Sequence, residues 1–156
     1  MFKRSMSEPE KELFARICMP AYSLPEDVKG RLLYAMNKKK TPDNLLREAF
    51  PEDYDRIMST VILEKSRFSI KPRPDLIVKY FLEYHNKEQP CKVEAGKVVG
   101  FRAERKGKEN SLTARVVLDS GKTVYAVTRI APGMTTRINL NDRVLVHNKV
   151  VCHVLE

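Results

Sequence analysis

Residues 92–156 read KVEAGKVVGFRAERKGKENSLTARVVLDSGKTVYAVTRIAPGMTTRINLNDRVLVHNKVVCHVLE, and this stretch decides the fold. Apolar and polar residues alternate along much of it, which is the period of a β-strand with one buried face. Turn residues at Asp119–Gly121 and at His147–Lys149 separate neighbouring apolar runs. The pattern predicts five strands, near residues 93–102, 112–119, 122–129, 143–147 and 149–155.

The connection between the third and fourth strands narrows the choice of fold. Residues 130–141 are too many for a hairpin loop and include Pro132 and Gly133, so we expect a crossover or a short helix there. Five strands with a long connection between the third and the fourth is the layout of an OB barrel. Such barrels bind oligonucleotides across their middle strands and loops.

The first 88 residues have the features of a helical region. A capping box, with Ser at the N-cap and Glu three residues later, occurs at Ser7 and again at Ser23. Thr41 followed by proline predicts a third helix start, and further apolar stripes bring the total to about five helices. The sequence therefore predicts an α+β protein, with a helical domain at 1–88 and a five-stranded OB-like β-barrel at 89–156.

Positive charge is concentrated in the predicted barrel. The chain has a net charge of +9 at pH 7. Residues 1–88 hold 17 Lys and Arg against 14 Asp and Glu (+3), whereas residues 89–156 hold 12 against 6 (+6). A small basic β module is better explained by a polyanionic partner than by the needs of folding. We therefore expect RNA or another single-stranded nucleic acid as the partner, with a possible protein partner on the helical domain.

Alternation also assigns the outer side chains of the barrel. Arg115 and Tyr125 fall on the outside of adjacent strands, where they pair a phosphate-binding charge with a stacking ring. Phe101 is expected to be the second stacking ring. The remaining predicted contacts are basic side chains on the strands and loops, expected to bind phosphates: Lys97, Arg102, Arg105, Lys106, Lys108, Arg129, Arg137 and Arg143.

A resemblance supports this interpretation. The segment from Ala114 to Ala126, then Arg137-Ile138 and the run from Asp142 to Val146, resemble the single-barrel bacterial translation initiation factor and its RNA-binding OB relatives. Asn141 stands where that family usually has glycine. The resemblance covers residues 93–156 and implies non-catalytic binding of RNA through basic surface residues, as in a ribosome- or transcription-associated factor.

A second resemblance gives a different function to the same segment. The Cys-x-x-x-x-Gly-x-Val run from Cys91 to Val98, and the Val-Leu-Val-His strand ending at His147, are similar to HypC/HupF hydrogenase-assembly chaperones. In that family the cysteine lies at the N-terminus, whereas Cys91 follows a helical region. The alternative function is therefore a protein-interaction and assembly chaperone in which Cys91 is an iron or partner ligand and His147 its neighbour.

Other chemistry has little support in the sequence. Neither the three cysteines nor the three histidines show metal-ligand spacing, and no phosphate-loop or nucleophile motif occurs. We expect no enzyme activity, no cofactor and no metal. The odd number of cysteines favours a reducing cytoplasm, and no apolar run is long enough to span a membrane.

Overall fold

The computed structural model describes residues 6–63, 71–106, 109–131 and 134–155. It has the predicted α+β fold, in which helices within residues 8–88 precede a closed five-stranded barrel within residues 93–155. None of the helices in these ranges is long and apolar enough to cross a membrane. The helices are α1 (Glu8–Cys18), α2 (Glu26–Asn37), α3 (Asp43–Ala49), α4 (Pro51–Ile57), α5 (Pro74–Lys79) and α6 (Asn86–Glu88).

Two of these helices change from α-helical to π-helical hydrogen bonding along their length. α4 continues as a π-helical segment, Met58–Ile62, and α5 continues as another, Tyr80–His85, that leads into α6. A short 3₁₀ turn, Met19–Ala21, follows α1. The second π-helical segment places Tyr80, Phe81 and His85 in the interior, whereas Tyr84 is 36% exposed.

The start of α1 confirms the predicted capping box. The Glu10 amide donates to the Ser7 hydroxyl, and the Ser7 amide donates to the Glu10 carboxylate at 2.8 Å. The second predicted box, at Ser23, is wrong, because Pro25 occupies the cap position and no side chain caps α2. Pro25 has extended backbone (ψ 144°), so the helix begins only after it.

Thr41 was also expected to cap a helix, and it does not. Pro42 is the residue before α3, again without a side-chain cap. Thr41 instead joins α3 to α1 through its backbone: its amide donates to the Glu8 carboxylate at 3.0 Å, and its carbonyl accepts from the Lys11 ammonium at 2.6 Å. Two tertiary contacts thus outweigh the local capping preference.

The strands lie close to the predicted positions. They are β1 (Val93–Lys106), β2 (Glu109–Leu118), β3 (Thr123–Val127), β4 (Arg129–Ala131), β5 (Met134–Thr135), β6 (Arg143–His147) and β7 (Val150–Leu155). The barrel order is β1-β2-β3-β7-β6, with β6 closing onto β1. β3 and β7 are parallel, and the other neighbouring pairs are antiparallel. β4 and β5 form a separate antiparallel pair, which occupies the connection where a crossover or short helix was expected.

The tight turns have the backbone that their residues favour. Gly121 has a φ of 93° in the turn between β2 and β3, a conformation that glycine adopts without steric cost. Asn148 and Lys149 have φ of 52° and 61° between β6 and β7, and two successive positive values are typical of a two-residue hairpin. Asn141 has a φ of 72°, which explains why glycine also suits that position.

The apolar core has two parts. One fills the barrel and consists of small and branched side chains: Val98, Ala114, Val116, Leu118, Ala126, Val144, Val146 and Val151. The other fills the helical region around Phe14, Phe50 and Phe81 and also includes Val93 and Cys152 from the barrel. The helices therefore pack on the outside of the barrel.

Candidate functional site

The outer wall of the barrel has two faces with different surroundings. The covered face consists of Val93, Leu145, His147 and Cys152, each no more than 1% exposed. Three of these side chains belong to the core of the helical region. The fourth, His147, bonds to the main chain of α1.

The open face lies on β1, β2 and β3. Its side chains share one side of the sheet by register, and they are Lys97, Arg102, Arg115, Tyr125 and Val127. All five are exposed to solvent.

Arg115 lies at the centre of the open face. It is registered opposite Gly100 on β1 and opposite Tyr125 on β3. Because Gly100 has no side chain, the guanidinium group lies over it, with Nε and Nη2 each 3.7 Å from where a Cβ atom would stand. Tyr125 is 53% exposed, and directly paired residues have Cβ atoms about 4.5–5.5 Å apart. The structure therefore brings together the predicted phosphate-binding charge and the predicted stacking ring.

The second predicted stacking ring lies elsewhere. Phe101 is registered opposite Ala114, which points into the barrel, so Phe101 projects from the other side of the sheet. A bulge between Val98 and Gly100 shifts the register of β1 just before it. Phe101 remains 39% exposed, but it does not share the open face with Tyr125.

Arg143 has an acidic partner within the chain. Its guanidinium group donates two hydrogen bonds to the Asp119 carboxylate, at 3.1 and 2.7 Å. Arg143 thereby holds the pKa of Asp119 below its ordinary value. It is registered opposite Lys97 on β1, so the ion pair borders the open face.

The other predicted phosphate contacts are dispersed or not described. Arg129 begins β4 and Arg137 follows β5, so neither belongs to the three strands of the open face, and both are exposed. The side chains of Arg105 and Lys106, and the whole of Lys108, lie outside the described residues. The open face therefore contains four of the predicted residues: Lys97, Arg102, Arg115 and Tyr125.

A second group of candidate ligand side chains meets where the covered face contacts the end of the helical region. Cys91 and His147, the pair in the alternative hypothesis, lie together with His85, and the ligand atoms of all three are within 4.8 Å of one another. Cys91 Sγ is 3.6 Å from His85 Nε2, and the two imidazole rings meet edge to face at 5.4 Å between centroids. His147 and His85 are buried, and Cys91 is half-buried.

Hydrogen bonds fix the tautomers of both imidazoles. His147 Nδ1 is 2.6 Å from the Ile17 carbonyl, which can only accept, so Nδ1 carries the proton and Nε2 has a lone pair. His85 Nδ1 is 3.2 Å from the Asn86 side-chain oxygen, which leaves its Nε2 facing Cys91. Burial lowers the pKa of both histidines, so both are neutral at neutral pH.

His85 was missed in the sequence because no spacing rule connects it to the other two residues. It lies six residues before Cys91, on a helix, and far along the chain from His147. The available signal was weak: a histidine that follows Phe81 by four residues falls on the apolar face of a helix. Such a residue is more often a core histidine than a ligand.

The fold and the two groups of side chains define an α+β protein with a closed five-stranded barrel. Searches against protein-family models, curated proteins and solved structures return no match for this chain. Its function must therefore be inferred from the geometry described above.

Proposed function

We propose that the protein binds RNA or another single-stranded nucleic acid, without catalysis, on the open face of the barrel. The observation that supports this most directly is the position of Arg115 beside Tyr125 on the wall that the helices leave uncovered. Single-stranded nucleic acids bind where cationic side chains follow the backbone and exposed rings stack on bases. Arg115 would contact phosphate and Tyr125 would stack.

The strand order supports the same proposal. The order β1-β2-β3-β7-β6, with β3 parallel to β7, is consistent with an OB-like barrel that has a small strand pair inserted after the third strand. Nucleic acids bind such barrels on the face formed by the second and third strands. Arg115 and Tyr125 lie on these two strands.

The surroundings of the pair also suit a nucleic acid. Val127 shares the side of the sheet with the pair and is 37% exposed, and Val99, at the bulge of β1, is also 37% exposed, which provides apolar surface for bases and sugars. Lys97 and Arg102 lie on the same side of the sheet as Arg115. A face with both apolar surface and basic side chains would bind the bases and the phosphates of a single-stranded nucleic acid.

The salt dependence of binding tests the electrostatic part of this proposal. The affinity of a labelled single-stranded RNA for the full chain would be measured by fluorescence anisotropy at several salt concentrations. Each phosphate contact should contribute a slope of about 0.7 log units of affinity per log unit of salt. An affinity that stays constant from low to high salt would exclude the proposal.

Charge reversal of the central arginine tests the location. Arg115→Glu should weaken binding by about tenfold or more, since it removes a charge-assisted contact and adds repulsion. Lys79→Glu is the matched control, because it makes the same change in net charge at an exposed position on α5. Equal losses from both variants would indicate nonspecific attraction and would remove the open face as the site.

A further inference from the structure

His85, Cys91 and His147 bring two imidazole nitrogens and one thiol sulfur together, and these are common metal ligands. The Nε2 atom of His147 is buried and has no hydrogen-bond partner among the residues that the structure describes. An unsatisfied buried acceptor costs free energy unless something binds it. One ligand atom from each of His85, Cys91 and His147 lies within 4.8 Å of the other two, so three donor atoms are grouped around this unsatisfied nitrogen.

The protein also holds these imidazoles as a metal site requires. A ligating histidine usually donates its other N–H to a carbonyl or carboxylate, which fixes the ring and leaves the ligating nitrogen unprotonated. His147 does this through the Ile17 carbonyl and His85 through the Asn86 side chain. Asn86 in turn bonds both the amide and the carbonyl of Val93, at 2.8 and 2.6 Å, so this support extends into β1.

One of the separations already fits a shared zinc ion. In a tetrahedral zinc site, Zn–S bonds of about 2.3 Å and Zn–N bonds of about 2.0–2.1 Å place sulfur and nitrogen about 3.6 Å apart. Cys91 Sγ and His85 Nε2 are 3.6 Å apart. The widest separation in the group, at most 4.8 Å, would need to contract by up to about 1.5 Å to fit the same geometry.

The charges are also compatible with a divalent cation. Zinc replaces the thiol proton, which is released to solvent, so zinc with one thiolate retains a single positive charge. Asp53 is 2% exposed, and its Oδ1 atom has no hydrogen-bond partner within the described part of the chain. Asp53 thus adds one buried negative charge to the helical region, opposite in sign to the charge that bound zinc would retain.

We propose that His85, Cys91 and His147 bind one Zn²⁺ ion at the junction of the helical region and the barrel. Imidazole nitrogen and thiolate sulfur are both ligands that zinc takes, and three protein ligands leave a fourth position for water or an external ligand. The same combination of two histidines and one cysteine also binds copper, so the metal analysis must distinguish the two ions. Cys91 is the most exposed of the three residues. This inference does not depend on nucleic-acid binding.

Metal analysis of the purified full chain tests the site. We expect close to one zinc per chain after expression in zinc-containing medium, and recovery of one equivalent when zinc is added after chelation. Cobalt(II) in place of zinc should give thiolate-to-cobalt charge-transfer absorption in the near ultraviolet. Zinc should also raise the thermal unfolding midpoint, because it binds the folded chain.

Cys91→Ser is the informative variant, because a half-buried position tolerates this small change. It should lose the cobalt charge-transfer band and the zinc-dependent rise in the unfolding midpoint. His153→Asn and Cys18→Ala are the matched controls, a histidine and a cysteine outside the group, and both should keep the band. The unfolding midpoint of each metal-free variant shows whether it has folded.

Three results would overturn the assignment. One is a folded wild-type chain that takes up no zinc at equimolar concentration. Another is a charge-transfer band that survives in Cys91→Ser. The third is a purified chain that contains one equivalent of iron or copper and does not bind zinc. Bound iron would favour the assembly-chaperone alternative. Each result leaves the RNA-binding measurements unaffected, so the two proposals can fail separately.

Discussion

The covered and open faces of the barrel are built on the same closed sheet but have opposite compositions. The covered face carries Leu145 and Cys152, which are fully buried against the helices. The open face carries Arg115 and Tyr125, which remain in solvent. The difference shows that outward-pointing residues serve two purposes here: one set attaches the barrel to its own chain, and the other is available for a partner.

The largest effect should come from the covered face. Leu145→Ala should lower the free energy of unfolding by about 2–5 kcal/mol, because it leaves a cavity between the helices and the barrel. Leu112→Ala removes the same atoms from a side chain that is 46% exposed and should change stability by only about 0.5 kcal/mol. Urea unfolding of both variants measures the contrast. Similar losses would mean that contact with the helices is not what makes Leu145 important for stability.

An intermediate effect is expected from the stacking ring on the open face. Tyr125→Ala should weaken binding of single-stranded RNA by about 1–3 kcal/mol, the usual contribution of one base stacked on an aromatic ring. Tyr34→Ala is the control, since Tyr34 is 67% exposed on α2 and should be neutral. Anisotropy titrations at fixed salt provide the comparison. A neutral Tyr125→Ala would remove stacking from the proposed mechanism.

The smallest effect concerns the ion pair beside the open face. Asp119→Asn removes the acidic partner of Arg143 and should raise RNA affinity by about two- to fivefold at low salt. The gain should vanish at high salt because exposed charges are screened. Since Arg143 lowers the pKa of Asp119, the wild-type pair persists in mildly acidic buffer and breaks only as the pH falls through that lowered value. A loss of affinity would show that Asp119 supports the face.

Much of the fold could be predicted because it is encoded locally. Alternation and turn residues located the barrel strands, and one capping box located α1. The errors arose where distant contacts decided the structure. Thr41 was assigned to a cap, but its backbone bonds to α1 instead. The register shift near Gly100 separates Phe101 from Tyr125, and its one signal in the sequence was the glycine itself, because a glycine inside a strand often marks a bulge.

The pair on the open face could be predicted from the sequence, whereas the group around Cys91 could not, because only the first depends on local patterns. Arg115 and Tyr125 face the same way because strand alternation and a short turn fix their register. His85 reaches Cys91 and His147 only after the helices pack on the barrel, which no local pattern specifies. One signal was available: Val144, Leu145 and Val146 are three consecutive apolar residues in a strand, as expected where both faces of a strand are buried.

The junction of β3 and β7 has a consequence for how the barrel moves. Among the described residues only one pair of residues, Val127 and Val150, is in register between these two strands. The Val127 amide also donates a hydrogen bond to the Lys149 carbonyl at 2.9 Å. The antiparallel ladders are longer, and local opening begins where the fewest bonds must break. We therefore expect the barrel to open first at this seam while the antiparallel ladders stay paired.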